Sequence, residues 1–281
     1  MTKIKFVTDS VADLPAEIVA KHQIGVVPCF VNYDGQSFAD DGVELIREDY
    51  FKNLHQLSHP TTAAPPPALA EQIIKETFEG ADHLIILTTP AKLSAINNSM
   101  RLGAQNLPQD RVTIIDTGQL SMAMGWQVIM AAETAEQTGD VQATLNTIQR
   151  VRENQTLYAG MATMEFLRRS GRVGWAQAGI GALLQIKPIV QVQEGDVTSA
   201  ARVRTFSKVI DTLVELAHQH APLDKLAVLH ISNLEGAAEL RARLKDIMPE
   251  DTLTTGVGPT LGTHIGPGAL GIAPVSASWK A

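Results

Sequence analysis

Hydroxyl side chains recur in this sequence where apolar runs end: Thr8 and Ser10, Thr61 and Thr62, Thr88 and Thr89, Ser94, and Thr117 with Ser121. In a parallel α/β sheet the strand-to-helix loops gather at the carboxyl edge, where ligands bind, so several of these groups can face one crevice. Capping helices is the ordinary use of such hydroxyls, and it suits Ser10 and Thr117. Thr62 asks for more, because it lies in His59-Pro60-Thr61-Thr62-Ala63-Ala64-Pro65-Pro66-Pro67, whose prolines stiffen the chain around it. Ser94 follows a predicted strand at a helix start, where peptide dipoles favour an anion. The most informative stretch is Gly262-Thr263-His264-Ile265-Gly266-Pro267-Gly268-Ala269. A histidine among these glycines lies in a tight turn that lets a ligand or another backbone come close, although a lone histidine serves structure as readily as chemistry.

Other chemistries find less support. Asp9 and Asp116, each at a strand end, can be acids, caps or charge partners. His55 and His59 stand four apart, but the glutamate of a zinc-binding H-E-x-x-H is missing and Pro60 ends any helix there. No phosphate-cradling G-x-x-x-x-G-K-S/T occurs, and the one G-x-G-x-x-G match, Gly266 to Gly271, has no helix after it. Ser94, His264 and an aspartate could form a hydrolase triad, yet no G-x-S-x-G elbow exposes the serine. Arg168, Arg169 and Arg172 form a basic patch that matters only if the same face receives an anion; solvated cations are its plain reading.

The elements that must position these groups follow from pattern. With 281 residues, 44% of them hydrophobic and 19% charged, the chain can bury a core or two. The net charge of −7 argues against a phosphate-backbone partner, so nucleic acid is not expected. A single cysteine, Cys29, excludes an internal disulfide and reads as a buried small apolar residue. Nothing at the N-terminus resembles a signal peptide and no apolar run reaches the roughly 20 residues of a membrane span, so a cytoplasmic location is expected.

Residues 4–7, 25–31, 83–89 and 111–116 are predicted strands, alternating with helices that begin near Leu14-Pro15 and cover 45–57, 68–78, 93–107, 120–138 and 141–152. Such alternation builds a largely parallel sheet flanked by helices. The proline segment is predicted to be a stiff loop. From Leu157 the pattern changes: a strand, a basic helical turn at 166–169, a glycine-spaced helix over 175–186, a hairpin over 187–204 turning at Glu194-Gly195-Asp196, helices at 206–218 and 234–247 flanking a strand at 226–231, then strands near 252–257 and 269–273. The expected fold class is α/β in two domains, 1–154 with the mostly parallel sheet and a smaller α/β unit at 155–281, with a ligand site between them.

Taken together, Val7-Thr8-Asp9-Ser10 with Leu14-Pro15, the loop at Thr62, Leu93-Ser94, Asp116-Thr117 with Ser121-Met122, Ser170-Gly171-Arg172-Val173, Gly181 followed by Leu184-Gln185-Ile186-Lys187-Pro188-Ile189, Arg202-Val203-Arg204 and the Gly262 to Ala269 ending resemble the DegV family over essentially the whole chain. The resemblance implies a two-domain binder of a long-chain fatty acid, with no cofactor. It further implies that the protein presents the carboxylate to a separate ATP-using fatty acid kinase subunit and performs no bond chemistry itself. Thr62, Ser94 and His264 would match the family residues that hold the acyl head group, with Thr8, Ile96 and Gly266 beside them; Arg172 and Arg204 would match arginines that meet the kinase. Ala63 and Ala64, Pro90 and Ala91, and Ala95-Ile96 depart from the family's more polar pattern, leaving fewer donors near the head group.

The physical sense is simple. A carboxylate drawn from water needs charge-assisted hydrogen bonds, and the tail needs only an apolar tunnel. At about 0.8 kcal/mol per methylene, about fifteen of them give about 12 kcal/mol before ordering costs. Met122, Met124, Ile129 and Met130 on the 120–138 helix could line such a tunnel or simply fill the core. Two rival readings remain: an ester or acyl hydrolase using Ser94 and His264, and a protein that binds a phosphorylated small molecule.

Overall fold

A computed structural model describes residues 1–174 and 186–281. The helix predicted over 175–186, with Gly181, Leu184 and Gln185, falls on residues outside that description but for Ile186.

The first sheet is parallel, in the order β2 (Gly25–Val27), β1 (Ile4–Asp9), β6 (His83–Thr88), β7 (Val112–Asp116). Its central strand shows why it needs cover on both faces: Leu84 and Ile86 enter one apolar cluster, Ile85 and Leu87 another, and all four are fully buried. Helices α1 (Ala16–Lys21), α3 (Pro67–Phe78) and α4 (Ile96–Ala104) accompany this sheet, with Pro67 starting α3 as anticipated.

The predicted strand 25–31 is broken. Pro28 offers no N–H to a neighbour, and past it the Cys29 N–H donates to Ser10 Oγ at 3.0 Å instead of continuing a ladder. Beyond this break β3 (Phe30–Tyr33) joins a separate antiparallel sheet with β4 (Gln36–Ala39) and β5 (Thr61–Ala63). The proline segment is therefore not all loop: Thr61–Ala63 is a short edge strand against Phe30–Asn32, stopped by the prolines after it. α2 (Arg47–Asn53) is shorter than predicted and carries the buried Tyr50 and Phe51.

The second sheet runs β10 (Asp196–Val203), β9 (Lys187–Gln193), β8 (Leu157–Gly160), β13 (Leu270–Ser276), β11 (Leu223–His230), β12 (Leu253–Gly256), antiparallel except for β11 with β12. The β9–β10 hairpin turns where predicted, with positive φ at both Glu194 and Gly195, which suits the twist of the strands. One face of this sheet, with Tyr158, Ile189, Val228 and Ile272, packs on the apolar sides of helices α8 (Phe206–His218) and α9 (Leu234–Arg243).

Helix α5 (Ser121–Thr138) is apolar nearly all round because it lies between the two sheets. Val128, Ala131 and Ala132 pack with Ile85 and Leu87, while the Trp126 indole donates to the Ala273 carbonyl of β13 at 3.0 Å. Helix α6 (Val141–Glu153) follows it. Among the described residues two further short helices are α7 (Glu165–Ser170) and α10 (Pro259–Ile265).

Candidate functional site

A cavity opens between the carboxyl edge of the first sheet and the face of the second turned away from α8 and α9. Alternation along the strands makes its wall apolar: Leu157 and Ala159 on β8 and Val190 and Val192 on β9 point into it, while Tyr158 and Ile189 point to the helices behind. Met161, Leu167 and Val173 extend this wall, and Val11, Leu93 and Leu120 face it from the first half of the chain. Of the hydroxyls noted at the ends of apolar runs, Thr62, Thr89 and Ser94 line it. Thr89 is held by buried Asp9, whose carboxylate accepts from the Thr89 N–H at 2.8 Å, its hydroxyl at 2.9 Å and the Val11 N–H at 3.1 Å. Burial pushes the Asp9 carboxyl up to about 6, against the pull of those three donors.

Three predicted residues line the cavity, and two of them touch. Thr62 reaches it from β5 and His264 from α10, and Thr62 Oγ1 and His264 Nε2 stand 2.8 Å apart in a hydrogen bond. Ser94 lines the same space from the turn before α4, its Oγ accepting from the Ile96 N–H at 3.3 Å. Burial, helped by the positive charge of Arg172, lowers the His264 imidazole to about 4, so the ring is neutral at pH 7. Arg172 is the one charged residue on the described wall; its Nη1 donates to the Ser170 carbonyl at 2.6 Å.

Ile96 also lines the cavity, presenting a buried aliphatic chain. Thr8 and Gly266 are not on its wall. Thr8 is buried in β1, and Gly266 ends α10 at φ +84°, where any Cβ would meet the Phe166 ring at 2.2 Å. That glycine permits helix and ring to touch. Arg204 is exposed just past β10 and does not line the cavity. Met122, Met124 and Met130 are core residues, and Met161 is the methionine on the wall. Sequence reasoning passed over Thr260, which lines the cavity from the first turn of α10, and the two carboxyls beneath it, Asp13 and Asp40. Their types carried the only available signal: acids in mainly apolar surroundings need partners.

Each candidate acid, base or nucleophile already has a hydrogen-bond partner. The His264 ring bonds Thr62, the Ser94 hydroxyl accepts from a backbone N–H, and Asp9 and Asp116 are occupied by the N–H groups of Thr89, Val11, Ala91 and Gly118. No serine–histidine–aspartate chain links them among the described residues. Nor do these residues include a group of three or more His, Cys, Asp or Glu arranged to hold a metal, or a helix long and apolar enough to cross a membrane.

The same architecture recurs in solved structures. A DegV family protein from Thermus thermophilus, described as fatty acid binding, superposes with a TM-score of 0.89 at 31% identity, over 98% of this chain and 99% of that one. DegV of Bacillus subtilis, described as a fatty acid binding protein, gives 0.86 at 25% identity, over 98% of this chain and 100% of that one. A DegV domain-containing protein of Streptomyces coelicolor is 34% identical over 275 residues, 96% of this chain and 97% of its own. A family model described as "Uncharacterised protein, DegV family" matches residues 3–277. Matched nearly end to end by that model and by its relatives, the chain belongs to the DegV family.

Proposed function

We propose that this protein binds one long-chain fatty acid in the cavity, tail against the β8–β9 wall and carboxylate at Thr62, Ser94 and His264. The bond between Thr62 and His264 on the wall of a mainly apolar cavity carries this reading. A neutral imidazole and two hydroxyls supply hydrogen bonds to a carboxylate, and Arg172 supplies the positive field that a buried anion requires. The relatives from Thermus thermophilus and Bacillus subtilis, both described as fatty acid binding, support the ligand class.

In this reading the protein acts in the cytoplasm as a carrier. It presents the carboxylate, without bond chemistry of its own, to a separate ATP-dependent kinase subunit that makes the acyl phosphate, and Arg172 and Arg204 lie on the face that meets this partner. The chain divides into domains at 154/155, with the slot between them. That each extended sheet is built from one side of this point supports the division.

Mass spectrometry of lipid extracted from untreated protein tests the proposal. A single-tailed acid at about one per chain is expected; protein that carries no lipid and takes up no added fatty acid would end it.

A further inference from the structure

Helix α10 is capped from outside. Its cap residue, Gly258, has no side chain to accept from the first-turn N–H groups. Two carboxyls from distant loops do so: Asp13 Oδ1 accepts from the Gly258 N–H at 2.7 Å, and Asp40 Oδ2 from the Thr260 N–H at 2.9 Å. Asp13 Oδ2 also accepts from the Ser121 hydroxyl at 2.5 Å, which anchors that carboxyl to α5. Both acids are buried, at 2% and 4% exposure. They fit because residue 258 is glycine: a Cβ there would stand 3.0 Å from Asp40 Oδ2 and 3.1 Å from Asp13 Oδ1. Arg47, whose Nη1 donates to the Gly256 carbonyl at 2.6 Å, supplies the opposing charge to both.

A helix of seven residues cannot hold its own direction, so its ends must be held for it. The outer cap holds one end. Near the other, His264 meets Thr62, and Thr260 and His264 both face the slot. A shift at the capped end therefore moves the histidine relative to the threonine.

We propose that Asp13 and Asp40 are positioning residues for the head-group clasp: by capping α10 from two separate loops they set the place of His264 opposite Thr62. The inference rests on the fatty-acid reading given above. It is tested on delipidated protein by equilibrium binding of oleic acid and of methyl oleate, which shares the tail and lacks the charged head. Asp40→Ala is expected to weaken oleic acid at least tenfold and methyl oleate less than twofold. Asp40→Asn, whose side-chain carbonyl can accept from Thr260, is expected to stay within threefold for both. Equal losses for acid and ester, or no loss for the acid, overturn the inference and leave the carrier reading standing. If Asp40→Ala does not fold, Gly258→Ala, which crowds both carboxyls, is expected to give the same selective loss, and an equal loss or none again overturns it. Wild-type protein that binds neither compound overturns the carrier reading, and this inference with it.

Discussion

Thr62 and His264 lie 202 residues apart in sequence, yet their side chains share a 2.8 Å hydrogen bond on the wall of a mainly apolar cavity. One comes from an edge strand stopped by prolines and the other from a helix of seven residues. Replacing Thr62 by valine keeps the shape and removes the hydroxyl. A hydrogen bond to a charged group is worth about 1.5–3 kcal/mol, so affinity for a fatty acid should fall about ten- to a hundredfold. Titration calorimetry measures this, and an unchanged dissociation constant would remove Thr62 from the clasp.

The slot's wall predicts a chain-length effect. Ala159 on β8 lines the cavity, and Ala159→Phe would occupy it with a ring. If the ring excludes about three methylenes at about 0.8 kcal/mol each, stearate binding should weaken about fifty-fold while a much shorter acid is spared. Stearate affinity unchanged from wild type would show that the tail runs elsewhere.

Gly266 carries a stability prediction in place of a binding one. At φ +84°, with the Phe166 ring 2.2 Å from where a Cβ would sit, Gly266→Ala is both strained and crowded. A loss of at least about 2 kcal/mol is expected in urea denaturation, since each fault is separately costly. A loss below about 0.5 kcal/mol would mean that helix and ring separate easily.

Two groups on the site pull stability in opposite directions with pH. His264 is lowered to about 4 in the folded chain, so between there and its unfolded value, near about 6.5, the unfolded state binds more protons. Its contribution is complete above that unfolded value and is lost as pH falls toward 4. Asp9 is raised to about 6, so the folded state binds more protons between its unfolded value, about 3.9, and there. Its contribution is present at low pH and lost as pH rises through 6. Relative to wild type, His264→Gln should therefore be better placed at pH 4.5 than at pH 7.5, and Asp9→Asn the reverse. Denaturation curves for both variants at the two pH values check this; differences from wild type that do not change with pH would contradict it.

Much of the frame was legible because it rests on local pattern. The fully apolar 84–87 run, the all-round apolar helix after Leu120 and the Glu194-Gly195 turn each carry their structure in consecutive residues. The break at Pro28 was missed because apolar residues continue through it, and only the rest of the chain decides that Gly25–Val27 and Phe30–Tyr33 join different sheets. Thr61–Ala63 read as loop because an edge strand three residues long leaves no periodicity to count. In the site, Thr62, Ser94 and His264 could be named from their surroundings and from family resemblance. Asp13 and Asp40 could not, since their partners at Gly258 and Thr260 lie 245 and 220 residues away.

The tip of the β9–β10 hairpin is fastened to the first sheet's edge. The Gly195 N–H donates to the Gly118 carbonyl at 2.8 Å, Lys92 Nζ bonds Asp196 at 2.9 Å, and the Arg152 guanidinium pairs with Glu194. On another side α10 is pinned by Asp13 and Asp40. The cavity is thus framed like a purse with stitched flanks, its spread limited by seams made of groups outside its lining; in the carrier reading, a substitution at Lys92 or Glu194 is expected to alter the fit of a tail without altering a single atom of the lining.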